Sequence, residues 1–211
     1  MNIKNFFAIV ALTLASGLAQ AGVVFDNGAP ADNSYHCISG PKACGGSGTW
    51  TIYDQFTLAS PTTVSGFANW NVGIVEGFYD ATKWSIWTST PTNGGAALYS
   101  GTSVATIAID QGYLLATVDG LAIDLAAGNY WLGITHVLRG NSVWTYAISA
   151  NGQADALQWD GATNRAADLG DMAFVITAAV PEPDLYAMIL AGLGLFGAIG
   201  WRRKHPVYIR S

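Results

Sequence analysis

The chain has 211 residues, of which 51% are hydrophobic and only 11% charged, and its formal net charge is −5. Between residues 22 and 179 twelve acidic residues stand against four basic ones, Lys42, Lys83, Arg139 and Arg165. Phosphate backbones demand a basic footprint, so this balance excludes nucleic-acid binding as a function class.

The first element in the chain is an address. Lys4 precedes an uncharged apolar run from Phe6 to Leu18, and Ala19-Gln20-Ala21 then places small residues where a signal peptidase reads them. About 13 apolar residues fall short of the ~20 that span a bilayer comfortably. Residues 1–21 therefore read as a signal peptide, with signal peptidase as partner and Gly22 as the mature start.

The exported region, residues 22–179, has the length of one ordinary domain. Its two cysteines, Cys37 and Cys44, close a short loop through Ser39-Gly40-Pro41. In an oxidising compartment this spacing predicts a disulfide, worth ~2 to 3 kcal/mol in the chain-entropy model. His36 stands beside Cys37, yet two Cys and one His lack the paired spacing of a zinc module.

Runs rich in aromatic and β-branched residues follow: 50–58, 62–70, 83–88, 113–118, 129–135, 142–149 and 172–177. Breakers separate them, among them Ser60-Pro61, Thr90-Pro91, Asn93-Gly94-Gly95, Asp119-Gly120, Ala127-Gly128, Asn151-Gly152 and Asp160-Gly161. Alternation puts Tyr130, Leu132 and Ile134 on one face and Trp131, Gly133 and Thr135 on the other. One buried and one wetter face per strand predicts an all-β domain, an antiparallel β-sandwich. No long amphipathic helix and no internal repeat is evident.

Seven tryptophans lie in this region: Trp50, Trp70, Trp84, Trp87, Trp131, Trp144 and Trp159. Aromatic faces stack on sugar rings while amides and carboxylates take hydroxyl hydrogen bonds. Most of these indoles belong to the core, and the candidate sugar-stacking residues are Trp131, on the face opposite the apolar set, and Trp87.

Two alternatives compete with that reading. A glycoside hydrolase or lyase needs two carboxylates across a bond, and Asp119 with Asp124, or Asp155 with Asp160, are the available pairs. Each pair lies beside turn residues, where Asp serves backbone hydrogen bonding. No nucleophile elbow, HExxH motif or phosphate loop is present, and His136 has no adjacent Ser or Cys partner, so no catalytic residue is assigned. Calcium is the second alternative, as in an adhesin-like module. No contiguous EF-hand loop occurs, so separate loops would supply the oxygens, around Asp26 and Asp32 or around Asp168 and Asp171. No other cofactor is expected.

At the far end, Val180-Pro181-Glu182-Pro183 precedes the uncharged stretch Leu185 to Trp201, followed by Arg202, Arg203 and Lys204. Seventeen helical residues reach about 25 Å, near the lower limit for crossing a hydrocarbon core. The basic cluster stays cytoplasmic, which leaves the preceding domain outside and residues 205–211 as a cytoplasmic tail. Gly192, Gly194, Gly197 and Gly200 offer a close-packing face to another helix. Two prolines hold the segment before the helix extended, where a protease can reach it.

This order of features, residues 180–204, closely resembles the PEP-CTERM sorting signal of exopolysaccharide-producing Gram-negative bacteria. The resemblance implies recognition of Pro181, Glu182 and Pro183 by a membrane-embedded exosortase, after transient anchoring in the inner membrane. The seven residues after the basic cluster are more than that family usually carries. A second resemblance rests on Tyr53-Asp54-Gln55-Phe56-Thr57-Leu58, Pro61-Thr62-Thr63-Val64, Trp84-Ser85-Ile86-Trp87 and Leu125-Ala126-Ala127-Gly128-Asn129-Tyr130-Trp131-Leu132. These look like the jelly-roll ectodomains common among PEP-CTERM proteins, which are similar in fold to carbohydrate-binding modules. Together the resemblances imply a non-catalytic protein of the cell surface or extracellular matrix, associated with exopolysaccharide, biofilm matrix or envelope.

Overall fold

The computed structural model describes residues 20–39, 50–73, 78–139, 142–151, 155–161, 164–165, 170–180 and 192–193. Residues 21–178 form one compact unit, and residues 1–20 with 179–211 form a second. The described chain is almost entirely strand: β1 (Gln20–Asp26), β2 (Pro30–Cys37), β3 (Thr51–Leu58), β4 (Thr62–Gly73), β5 (Tyr79–Trp87), β6 (Tyr99–Ser103), β7 (Thr106–Asp110), β8 (Tyr113–Leu125), β9 (Gly128–Leu138), β10 (Trp144–Ser149), β11 (Leu157–Trp159), β12 (Asn164–Arg165) and β13 (Phe174–Val180). A single 3-10 turn, Pro91–Asn93, interrupts them.

Two antiparallel sheets result. One runs β12-β11-β3-β9-β5-β6. In the other, β4 pairs with β8 along one edge and with β13 and then β10 along the opposite edge. β1, β2 and β7 complete that sheet. The period-two alternation decides which side chains meet. Ile52, Phe56, Leu58, Ile86, Tyr130, Leu132 and Ile134 from the first sheet share one apolar cluster with Val64, Phe67, Val118, Trp144 and Phe174 from the second. Each such side chain contributes roughly 1.5–3 kcal/mol on leaving water.

Ile38 ties the sheets together through its backbone. Its N–H donates to Trp144 O at 2.9 Å in β10, and its carbonyl accepts from His136 N at 2.7 Å in β9. A residue that leaves one sheet for the other thus keeps both of its backbone groups satisfied.

Two features depart from the sequence expectations. Asp119-Gly120 does not end a strand: β8 continues through it, with a register shift opposite Val64 and Gly66 and with Gly120 at φ 76°. Glycine at positive φ here makes a bulge, which bends a long strand without breaking it. The short strands β6 and β7 carry too little alternation to stand out from loop sequence. β7 is revealed by its turn, Gln111-Gly112 at φ 52° and 86°, which joins Asp110 to Tyr113 in the pairing of a two-residue hairpin.

The stretch 185–201 lies outside the described residues except for Gly192 and Leu193, both helical. Among the described residues no helix is long and apolar enough to cross a membrane. Residues 1–19, Cys44, Pro181, Glu182, Pro183, Arg202, Arg203 and Lys204 also lie outside the described residues.

Candidate functional site

The outward face of the β12-β11-β3-β9-β5-β6 sheet is laid out by register. One row runs Leu157, Tyr53, Gly133, Ser85, Ser100 across β11, β3, β9, β5 and β6. A second runs Trp159, Thr51, Thr135, Lys83, Thr102, in which the hydroxyls of Thr51 and Thr135 lie 2.6 Å apart, and a third Gln55, Trp131, Trp87. Alternation places these side chains opposite the core set, and the expected split of β9 into Tyr130, Leu132 and Ile134 against Trp131, Gly133 and Thr135 is what the register shows.

Aromatic rings gather at the centre of this face. Tyr53, Trp131 and Leu157 form an apolar cluster separate from the main core, with Trp87 and Trp159 packed against it. Tyr53 meets Trp87 edge-on, with centroids 6.1 Å apart at 83°, and Trp159 at 6.4 Å and 52°. Gly133 makes the space: a Cβ there would stand 2.4 Å from Tyr53 Cε1 and 2.6 Å from Ser85 Oγ. Trp87 donates its Nε1–H to Ser85 Oγ at 2.8 Å, which orients the indole. Burial pushes the Tyr53 phenol above its ordinary pKa. Trp131 faces away from the core as the sequence predicts, but at 9% exposure it is not an open ring. Trp131 shares its cluster with Tyr53 and Leu157, and the half-buried Trp87 and Trp159 are the more exposed rings of the group. Trp159 and Tyr53 escaped the sequence reading because the pairing of β11 with β3 is not local.

A second grouping lies at the inward end of β3. Asp54 follows Ile52 and precedes Phe56 on the core-facing side and is fully buried. Its Oδ2 accepts from Asn27 Nδ2 at 3.2 Å and from Met172 N at 2.5 Å, and its Oδ1 from Gln55 N at 2.7 Å. Asp155 and Asp171 join it, with one oxygen from each of the three carboxylates lying within 4.8 Å of the others. Asp171 Oδ1 accepts from Asp155 N at 3.0 Å. Burial, and then the hydrogen bond with Asp155, hold the Asp54 carboxyl well above the usual carboxylate range, and burial raises Asp155. Oxygens 4.8 Å apart are the widest pair that one ion can bridge at ~2.4 Å from each, so the trio fits a hard cation such as calcium. Such an ion would neutralise charge that otherwise demands a proton.

The carboxylates expected from the sequence are distributed differently. Asp155 and Asp160 sit at opposite ends of β11, and Asp155 meets Asp54 and Asp171 instead. Asp119 and Asp124 occupy exposed positions of β8, where Asp124 accepts from Thr63 Oγ1 at 2.5 Å. Asp26 accepts from the backbone N–H of Gly28, as a turn carboxylate does, and Asp32, within β2, accepts from the backbone N–H of Asn33. Asp168 lies outside the described residues, and Asp171 belongs to the trio. The neglected signal was Asp54, a carboxylate at an inward position of a strongly alternating strand.

His136 is fully buried among Thr82, Asn69, Tyr79 and Trp144. Its Nδ1 lies 2.9 Å from Thr82 Oγ1 and its Nε2 3.4 Å from the donor Asn69 Nδ2. Burial pushes its pKa down to about 3. No free cysteine is found among the described residues, which include Cys37 at the end of β2.

Comparison with known proteins places residues 179–204 within the PEP-CTERM protein-sorting motif. The chain thus carries the sorting signal of a protein handled by exosortase, at the residues that the sequence singled out. Neither the curated proteins nor the solved structures give a match.

Proposed function

We propose that this chain is an exported, non-catalytic surface protein, released from its membrane segment by exosortase and retained in exopolysaccharide, biofilm matrix or envelope through the outer aromatic face. The sorting motif supports the route, and the gathering of Trp87, Trp131, Tyr53 and Trp159 on one sheet face carries the binding reading. The half-buried rings of Trp87 and Trp159, beside serine, threonine and glutamine, suit a sugar, which offers an apolar ring face and a rim of hydroxyls. In this reading residues 1–21 are removed at export and residues 185–201 hold the chain in the inner membrane. The domain is a jelly-roll-like sandwich, with Cys37 and Cys44 bridged. Titrating the exported product with exopolysaccharide from its own cells should shift tryptophan emission, and Trp87→Ala should weaken binding about tenfold, as stacking losses of 1–3 kcal/mol do at aromatic platforms. Unchanged emission, or unchanged affinity in the variant, would remove the face from the account.

A second reading is favoured by the Asp54, Asp155 and Asp171 trio: a calcium ion held there, pinning β3 to the segments before β11 and β13. Calcium at a hundredfold excess over its dissociation constant would add about 2.7 kcal/mol of stability. Chelator-treated protein should therefore melt higher on calcium addition, and Asp54→Asn should abolish the increase. A melting temperature indifferent to calcium would dismiss the ion.

A further inference from the structure

Within the three registered rows of the outer aromatic face, the side chains are neutral except one. Lys83 stands in the row Trp159, Thr51, Thr135, Lys83, Thr102, is exposed, and has no ion-pair partner among the described residues. Arg139, by contrast, is already paired with Asp80 at 2.5 Å. Lys83, Ser85 and Trp87 alternate on the same face of β5, so an indole, a hydroxyl and an ammonium follow one another at steps of roughly 6.6 Å. The indole is fixed toward this line by its bond to Ser85. A polymer lying along β5 thus meets a stacking surface first and the Lys83 ammonium at the other end.

We propose that this face selects carboxylate-bearing polysaccharide, with a sugar ring stacked on Trp87 and a uronate-type carboxylate held by the Lys83 ammonium. The inference rests on reading the face as a glycan surface and adds the chemical class of the glycan. The exported region is acidic as a whole, which would repel such a polymer at a distance. At physiological ionic strength charges beyond about 8 Å are largely screened, so the local cation governs the contact. Among the described residues the Lys83 ammonium has no ion-pair partner, and a carboxylate would complete it.

Polygalacturonate and its methyl-esterified form share one backbone and differ in carboxylate charge, so they separate stacking from charge. Titrated by tryptophan emission at physiological ionic strength, the exported protein should bind polygalacturonate about fivefold more tightly, the upper range for an exposed charge pair. Lys83→Met, at an exposed position that leaves the fold alone, should erase that preference without changing affinity for the esterified polymer. Trp87→Ala should weaken both. Equal affinity for the two polymers, or a preference that survives Lys83→Met, would overturn the carboxylate assignment while leaving the glycan surface in place. Binding of the cells' own exopolysaccharide that is unaffected by Lys83→Met would overturn it as well. Failure of every polymer to bind would remove the surface and this inference together.

Discussion

Gly133 controls the outer face because it contributes nothing to it. With Tyr53 Cε1 2.4 Å and Ser85 Oγ 2.6 Å from where a Cβ would sit, Gly133→Ala must displace the Tyr53 ring and the Ser85 hydroxyl. Overpacking of this kind costs about 1–3 kcal/mol. The variant should unfold at lower temperature and show altered tryptophan emission before any ligand is added, and a variant unchanged in both would mean that Tyr53 does not need the gap. His136 is the residue whose charge matters most to the core. Its folded pKa, about 3, lies below the ordinary 6.5, so the unfolded chain takes up a proton first as pH falls. Its contribution is complete above pH 6.5 and is lost between 6.5 and 3, by about 2 kcal/mol at pH 5. Asp54 and Asp155, with raised values, act in the opposite sense: their contribution is present below the usual carboxylate range and lost as pH rises through their folded values. The two effects are separated by comparing thermal unfolding of the parent with His136→Gln at pH 7 and pH 5. The parent should lose more stability between these values than the variant, and equal losses would contradict the assignment.

At the scale of elements, the strands that sequence made legible are those buried on one face and paired on both edges. β3, β4 and β9 announce themselves by alternation, and their inward sets are the core. β1, β2, β6, β7, β11 and β12 were not legible, because short or edge strands depend on pairing with residues far away in the chain. Their turns say more than their bodies do. In the β7–β8 hairpin Gln111 and Gly112 both take positive φ, which costs any residue with a Cβ roughly 1–2 kcal/mol. No atom lies within 4 Å of a Cβ built at Gly112, so the penalty for Gly112→Ala is backbone strain alone. That variant should lose about 1 kcal/mol of stability, while Gln111→Asn, better suited to the left-handed region, should gain a few tenths by chemical denaturation. A neutral Gly112→Ala would show that the hairpin is not formed as described. β1 raises a related point, since removal of residues 1–21 would leave Gly22 to Asp26 as its remainder.

For the whole molecule, address was more legible than occupation. The segment 180–204 declared itself because its signal is local: a stiff Pro-Glu-Pro, an apolar run and a basic end adjoin one another in sequence. The aromatic face and the carboxylate trio are assembled from β3, β9, β5 and the segments near β11 and β13, so no window of sequence contains them. Alternation along β9 is enough to put Trp131 on the outer face, whereas it does not assign neighbours, so the approach of Trp159 to Tyr53 and of Asp54 to Asp155 and Asp171 is not legible in any one segment. The proposed route runs from export through exosortase recognition at Pro181, Glu182 and Pro183 and loss of the apolar segment to retention outside the cell by the folded domain. Its most direct test is the intact mass of the native product from cells with and without exosortase. The account predicts a product that lacks the mass beyond the Pro-Glu-Pro region only when the enzyme is present. A product that keeps its full C-terminal segment in both strains would contradict it.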